Sequence, residues 1–356
     1  MSVTKERDSN LELYRIIVML SIVAHHYVVN SGLLEIMSNN PTSFRNMFFY
    51  LFGAWGKVGI NCFVLITGYY MCKSAITWRK FLKLLLEILF YMFAVNVLLI
   101  ITGVENISIF NIWNDFQLIF DVSNCFPSCF LFFYLSIPFL NILIKNLTRK
   151  QHLHLIGLCL IIYTGIGTLL LGKVKINYIV WFSVLYFISS YIRLYNPMTK
   201  MRWGAILVGT GFLSVATIVI ILYFGTIIGR YLPQYHFIND SYKILAVALS
   251  ISMFMFFKGL HVSPSYTINR IAQSCFGVLL IHTNSDAMRQ WLWKEFVNVE
   301  GLYNTDHYVV YSILIVLGVY MVCTIIDQLR IAIFEKPLFK QLDRIPIINY
   351  GRIFTE

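Results

Sequence analysis

The sequence predicts an all-α membrane protein, a polytopic transmembrane helical bundle of about ten transmembrane helices in a single domain over residues 1–356. Two observations carry this prediction. Hydrophobic residues make up 58% of the chain and charged residues only 13%, with a mean hydropathy of +0.71, whereas a soluble domain carries about 25% charged residues. The apolar residues also fall in separate runs of about 20, the length that crosses the hydrocarbon of a bilayer.

The predicted spans follow one another without a linker or an internal repeat, and no cleavable signal pattern precedes the first. The second span is short, and Asn46–Gly56 is expected to extend or cap it, with a break at Gly53 or Gly56. The predicted spans are Leu11–Val29, Val58–Cys72, Leu84–Gly103, Cys125–Ile144, Leu153–Gly172, Tyr178–Ile192, Trp203–Phe224, Ile244–Phe257, Ile271–Trp291 and Tyr308–Leu329.

Lysine and arginine accumulate on one side of this topology, and that asymmetry predicts its orientation. With the N-terminus inside, 20 of the 28 lysines and arginines fall on the cytoplasmic side and 8 on the other. Both termini are therefore expected in the cytoplasm. The net charge of +11 follows from this distribution, and no aromatic and basic motif indicates a nucleic-acid partner. The eight outer cations are Arg45, Lys57, Lys173, Lys175, Arg230, Lys243, Arg289 and Lys294.

The first span is unusual because it carries four ionisable residues, Glu12, Arg15, His25 and His26. On an α-helix they share an arc of about 100°, and His26 lies about 16 Å along the axis from Arg15. Ionisable residues within a span face a bundle interior or a water-filled cavity and mark candidate functional sites. A plainer interpretation is also open, in which Glu12 and Arg15 form an interfacial ion pair and the histidines cap the helix near the outer headgroups.

The seven cysteines predict no disulfide framework, because an odd total and helical spacing favour free thiols. A disulfide between Cys125 and Cys129 is the alternative. No spacing of cysteine or histidine matches a zinc site, so no metal is expected. Five further histidines are expected in loops or at interfaces; they are His152, His154, His236, His261 and His307.

The segment RDSNLELYRIIVMLSIVAHHYVV resembles the first helix of the acyltransferase-3 family, integral membrane acyltransferases that O-acylate bacterial surface polysaccharides. That helix opens with an arginine, continues with a leucine, an acid and a second arginine, and places a histidine eleven residues later. His25 is an additional neighbour, so the resemblance leaves open which histidine is the functional one. The matching positions are Arg7, Leu11, Glu12, Arg15 and His26.

Later segments resemble the family in the same order, so that the resemblance covers nearly the whole chain. They depart from the family pattern at single positions, and two of the three arginines of the family's basic run are lysines here, which make weaker phosphate contacts. The segments are Gly59–Met71, the basic run Arg79, Lys80 and Lys83, Phe133–Asn141, and Ser274–His282.

The resemblance implies an enzyme that takes an acetyl group from cytoplasmic acetyl-CoA and esterifies a hydroxyl of a glycan or lipid-linked glycan acceptor. It implies that His26, or else His25, acts as general base toward that hydroxyl or as a transient acyl carrier. Glu12 and Arg15 would then orient the site or set its charge. His282 would face the same cavity, or would be a satisfied polar residue of the bundle core.

The resemblance also implies that Arg79, Lys80 and Lys83 bind the phosphates of coenzyme A, since cations match that charge. The alternative is that these three residues only fix the topology. The expected location is the lipid bilayer of the bacterial cytoplasmic membrane, with capsular or exopolysaccharide units as acceptors.

No additional soluble domain is expected, so either the bundle transfers the acetyl group directly or a separate extracytoplasmic transferase completes the reaction. A function of another class also fits ten spans with buried charge, namely a transporter or flippase of lipid-linked glycans, although no paired halves with broken helices are found. A weaker alternative is a membrane sensor related to the family.

Overall fold

The structure is a computed structural model that describes residues 8–106, 117, 120–122, 125–169, 174, 176–197 and 201–354. Within these residues the regular structure is helical, apart from one antiparallel bridge between Thr77 and Arg352, which confirms the all-α fold class. Arg7 and the end of the predicted span Leu153–Gly172 lie outside the described residues. The α-helices of the described chain are α1 (Ser9–Val29), α2 (Leu33–Ser38), α3 (Phe44–Phe52), α4 (Gly56–Met71), α5 (Trp78–Ile101), α6 (Phe126–Asn146), α7 (Arg149–Cys159), α8 (Tyr178–Tyr195), α9 (Trp203–Ile228), α10 (Ile244–Gly259), α11 (Tyr266–Gln273), α12 (Cys275–His282), α13 (Asp286–Gln290), α14 (Val299–Tyr303), α15 (Tyr308–Arg330), α16 (Lys336–Leu342) and α17 (Pro346–Tyr350).

Among the described residues, seven helical segments are long and apolar enough to cross a membrane, as expected of a multi-pass membrane protein. The helix α10 is apolar but has only 16 residues, and α7 passes into a π-helix at Leu160–Ile166. The predicted count of about ten spans and the cytoplasmic position of both termini remain predictions. The seven segments are Ser9–Val29, Phe44–Met71, Trp78–Ile101, Phe126–Asn146, Tyr178–Tyr195, Trp203–Ile228 and Tyr308–Leu342.

The second predicted span is built from two helices. α3 begins after Ser43, whose hydroxyl accepts a hydrogen bond from the Asn46 N–H, and it ends at Gly53. A Cβ at Gly53 would lie 2.7 Å from the Cβ of Val28, so only a glycine allows this turn to approach α1 so closely. Because α4 then starts at Gly56, the predicted break is confirmed.

The predicted span Ile271–Trp291 is divided among α11, α12 and α13, which corrects the expectation of one continuous helix. Local side-chain hydrogen bonds explain the second division. The Thr283 hydroxyl donates to the Leu279 carbonyl, and the Ser285 side chain accepts from the Met288 N–H to cap α13. Such bonds to the backbone compete with a continuing helix.

The chain divides into two compact units, of which the first comprises Met1–Phe63 and Lys200–Thr324. Its core is aromatic. The fully buried Tyr27 ring packs against the buried rings of Phe49 and Trp293, with centroid separations of 6.3 and 5.7 Å. Large rings buried together contribute both apolar area and ring–ring attraction, so α1 is held firmly within this unit.

The second unit comprises Val64–Thr199 and Ile325–Glu356. Its aromatic core surrounds Phe182, which lies against three other phenylalanine rings. His152 is fully buried in this unit within α7, and its Nε2 lies 3.0 Å from the Phe187 carbonyl oxygen, so the expectation of a loop position for His152 was wrong. The assignment of the whole chain to one domain remains a prediction.

All seven cysteines are free thiols, as the sequence indicated. Cys125 and Cys129 do not form a disulfide. The Cys129 thiol instead lies 3.2 Å from the carbonyl oxygen of Val122.

Candidate active site

The helix α1 holds four of the predicted site residues, and the structure pairs the two nearest its start. Arg15 Nη1 donates to Glu12 Oε2 at 3.1 Å, and the Glu12 side chain is almost wholly buried. The residues are three positions apart and so share one face of the helix. The ion pair considered from the sequence is therefore present, and a role for it in chemistry remains a prediction.

His26 and His282 meet, although 256 positions separate them in the chain. His26 Nδ1 lies 3.0 Å from His282 Nε2, and the ring centroids are 5.1 Å apart. The other nitrogen of His282, Nδ1, lies 2.5 Å from the Val278 carbonyl oxygen. The structure thus brings the late histidine-bearing segment of α12 against α1, with His282 buried, hydrogen-bonded and in contact with His26. His282 is therefore a satisfied polar residue of the core, and a cavity shared with His26 remains a prediction.

The hydrogen bonds of this pair determine where the protons sit. A carbonyl oxygen only accepts, so His282 Nδ1 must carry a hydrogen and donate it to Val278. A neutral His282 then has a lone pair on Nε2, which accepts from the Nδ1–H of His26. His26 Nε2 is left as an acceptor. His26 as a whole residue is half-buried.

His25 has different partners from its neighbour, because successive residues lie about 100° apart around a helix. Its Nδ1 donates to the Gly53 carbonyl oxygen at 2.6 Å, which leaves Nε2 as the acceptor. Its ring lies directly against Gly56, where any Cβ would overlap ring atoms. The His25 ring therefore packs against the break between α3 and α4.

A cavity of about 200 Å³ opens beside His25 within the first unit. Its walls come from the end of α1, from α2, from α3 and the start of α4 with the turn between them, and from the loop between α9 and α10. His26 is not among the residues that line it. The lining residues are His25, Val29, Leu34, Tyr50, Gly53, Ala54, Lys57, Tyr231, Gln234, Tyr235, Ile238 and Asn239.

The basic run lies in the second unit, and there each cation already has a protein partner. Arg79 forms two hydrogen bonds to Asp343, with Nε–Oδ1 2.8 Å and Nη2–Oδ2 3.2 Å. Its guanidinium also lies 5.0 Å from the centre of the Phe339 ring. Lys80 Nζ donates to the Ser74 hydroxyl and to the Ala75 carbonyl oxygen, at 2.6 and 2.8 Å.

Lys83 connects the basic run to a buried charge cluster, which we define as Lys83, Glu87, Asp327, Arg330 and Glu335. Lys83 Nζ lies 2.6 Å from Glu335 Oε1, and Arg330 contacts all three carboxylates at 2.8–3.2 Å. The Tyr91 hydroxyl donates to Asp327 Oδ1 at 2.7 Å. This cluster was not predicted, although ionisable residues inside apolar spans were the signal that could have found it.

The cluster and the Asp343 pair fasten the end of the chain to α5, because Asp343 and Glu335 both follow the last predicted span. Within the part of the chain that the structure describes, no three histidine, cysteine, aspartate or glutamate side chains are grouped so that they could hold a metal ion. The side chains described above offer a histidine base and a set of cations.

A family model described as "Acyltransferase domain", that of the acyltransferase-3 family, matches residues 8–324. Comparisons with curated proteins and with solved structures gave no match. The matched range includes Glu12, Arg15, the two adjacent histidines and His282. It ends before the carboxylates Glu335 and Asp343 that pair with the basic run.

Proposed function

The chain belongs to the acyltransferase-3 family, and from this membership in a family of membrane acyltransferases we propose that it moves an acetyl group from cytoplasmic acetyl-CoA to a hydroxyl of a cell-surface or lipid-linked polysaccharide. The proposed location is the bacterial cytoplasmic membrane. The observation that carries the proposed chemistry is the His26–His282 hydrogen bond, because it leaves a defined lone pair on the His26 imidazole.

In the proposed reaction His26 Nε2 takes the proton of the acceptor hydroxyl while the hydroxyl oxygen attacks the carbonyl carbon of the acetyl thioester. The carbon–sulfur bond then breaks, the acetyl ester forms, and the sulfur of coenzyme A leaves as a thiol with the proton that His26 held. His282 acts as a positioning residue, since its Nε2 accepts the Nδ1–H of His26 and so fixes which His26 nitrogen is basic. Transient acylation of His26 is the alternative route.

The proposed donor site is the basic run, where coenzyme A phosphates would bind Arg79, Lys80 and Lys83. These cations carry carboxylate or oxygen partners, and a phosphate bearing more charge than Asp343 can compete for the exposed Arg79 guanidinium. A purely topological role for the run predicts no such competition.

Acetyl transfer by the purified full-length chain tests this function. His26→Ala should lower the rate of transfer by about 10²–10⁴-fold, as expected for loss of a general base, while the Kd for coenzyme A stays unchanged. His154→Ala is the matched control, because that side chain is exposed on α7. His25→Ala should have a smaller effect. Activity in both His25→Ala and His26→Ala would show that α1 is not the catalytic helix.

The acceptor is identified by mass spectrometry of surface glycans from cells with and without the protein. A mass difference of one acetyl group is expected, and a longer acyl group would correct the proposed donor. A flippase would move glycans without releasing coenzyme A from acetyl-CoA, so release of the thiol by the purified protein separates the two classes. The family membership supports the acyltransferase.

A further inference from the structure

The cavity beside His25 has a wall residue that the fold leaves unsatisfied. Gln234 is only 5% exposed, and its Oε1 has no hydrogen-bond partner among the described residues. Buried side-chain oxygens are nearly always hydrogen-bonded in native proteins, and an unmade bond is costly. Because Gln234 is one of the residues that line the cavity, a ligand hydroxyl bound there would supply the donor that this oxygen lacks.

The walls around Gln234 are rich in tyrosine. The Tyr235 hydroxyl donates to the Tyr50 carbonyl oxygen at 2.8 Å, and the two rings meet edge to face at 6.2 Å. Burial raises the pKa of Tyr235, so this phenol stays neutral and keeps its hydrogen bond. Tyr231, by contrast, is 78% exposed and lies at the mouth. A preformed pocket with one exposed ring at its entrance needs little reorganisation to bind.

The polar groups of the cavity are suited to hydroxyls rather than to an apolar molecule. His25 offers Nε2 as an acceptor because its Nδ1–H is held by Gly53, and Gln234 offers Oε1. Lys57 adds a cation to the wall, and the tyrosines add flat ring faces. The volume of about 200 Å³ is below the roughly 300 Å³ at which pockets for drug-sized ligands begin, so the cavity suits one small ring.

We propose that this cavity binds a single pyranose unit of the acceptor glycan, with Gln234 Oε1 accepting a hydrogen bond from a ring hydroxyl and Tyr231 covering the ring at the mouth. The inference rests on the proposed function for the identity of the acceptor, but the pyranose site itself does not require the reaction. It adds Gln234 as a specificity-determining residue. In the predicted orientation the cavity lies at the extracytoplasmic end of α1, the side on which surface glycans are exposed.

Saturation-transfer NMR on the full-length protein in lipid nanodiscs tests the site with defined probes. Methyl α-D-glucopyranoside and its 6-carboxylate analogue, the methyl glucuronide, are the ligands, and glycerol and cyclohexanol are the controls for hydroxyls without a sugar ring and for a ring with a single hydroxyl. Transfer to the pyranoside ring protons is expected, with glycerol and cyclohexanol giving none. Tighter binding of the glucuronide would assign Lys57 a role with acidic sugars, within the same proposal.

Gln234→Leu should weaken pyranoside binding about tenfold, the effect of one lost hydrogen bond, whereas Gln234→Glu, which still accepts, should keep it. Gln290→Leu is the matched control, since that side chain is exposed and distant in sequence from the cavity lining. Where Gln234→Leu does not fold, Tyr231→Ala at the exposed mouth replaces it, and loss of binding is again expected. Binding of glycerol or cyclohexanol as strong as that of the pyranosides, no pyranoside binding, or unchanged binding in the folded variant would overturn the site.

Acetyl transfer and thiol release are measured on the same samples, so that the two proposals fail separately. Pyranoside binding that depends on Gln234, without any thiol release from acetyl-CoA, would leave the site standing and remove the enzymatic function. Normal acetyl transfer to glycan, together with pyranoside binding that does not depend on Gln234, would leave the enzymatic function standing and remove the site. The expected result is that Gln234→Leu raises the KM for the acceptor and leaves acetyl-CoA binding unchanged.

Discussion

Asp343→Asn should tighten the binding of coenzyme A if the basic run is the donor site. In the resting structure Asp343 holds Arg79 through two hydrogen bonds, so a phosphate has to displace the carboxylate before it can use the guanidinium. Asparagine removes the competing charge. The Phe339 ring still lies against Arg79 and keeps the guanidinium near its position. Glu335 is a poorer choice, because it also holds the buried Arg330.

The size of the effect follows from the exposure of the pair. The Arg79 and Asp343 side chains are 43% and 32% exposed, and ion pairs of that kind contribute about 0.2–1 kcal/mol. One kcal/mol corresponds to about a fivefold change in Kd, so Asp343→Asn should tighten binding by up to about fivefold. Arg79→Gln should weaken it, so the two variants act in opposite directions.

The assay is titration calorimetry of the purified protein with coenzyme A at low and high salt. Both effects should fade as salt rises, because the screening length falls from about 10 Å at 0.1 M to about 3 Å at 1 M. Asp306→Asn is the control for net charge, since that residue is exposed and outside the unit that holds the run. Unchanged affinity for coenzyme A in both Asp343→Asn and Arg79→Gln would refute the proposed donor site and show that the basic run only fixes the topology.

Three further outcomes are expected. His282→Ala should lower kcat for acetyl transfer roughly 10–100-fold, because His26 loses the acceptor that fixes its proton. The Kd for coenzyme A should change little, and a proportional change in kcat and Kd would contradict a positioning role. Arg330→Met should lower the free energy of unfolding by about 3–5 kcal/mol, since it leaves carboxylates of the buried charge cluster without their cation. Denaturant titration measures this change, and an unaltered midpoint would show that Lys83 alone is enough to stabilise the carboxylates. A cysteine introduced after Leu342 should resist a membrane-impermeant thiol reagent in intact cells, and its labelling would reverse the predicted orientation.

The parts of the fold that could be predicted are those set by local pattern. Apolar runs of membrane length identified the long helices, and glycines at 53 and 56 marked the break between α3 and α4. The division of Ile271–Trp291 was missed, although the stretch after Thr283 is polar and contains Asn284, Ser285 and Asp286. It depends on hydroxyl and amide bonds that a hydropathy average does not register.

The candidate site was predicted as a set of residues but not as a set of contacts. Family resemblance pointed to His26 and to His282 separately, and only the fold brings them to 3.0 Å. The partners of the basic run were missed for a different reason. Glu335 and Asp343 lie in a segment rich in lysine and arginine, where cations dominate any charge count, and pairing across more than 250 positions leaves no local signal.

The two adjacent histidines show why one residue of register matters in this molecule. In both, the Nδ1–H donates to an acceptor, yet the acceptors differ: a backbone carbonyl for His25 and a second imidazole for His26. A backbone carbonyl only accepts a hydrogen bond, so it can only orient the ring. When His26 gains a proton, the His282 imidazole can also take up the proton of the hydrogen bond that the two rings share. The residue with the responsive partner suits proton transfer, and the residue with the rigid partner suits the wall of a binding cavity. The helical offset of about 100° between neighbours therefore separates the proposed base from the proposed binding site, although the two residues are adjacent in one helix.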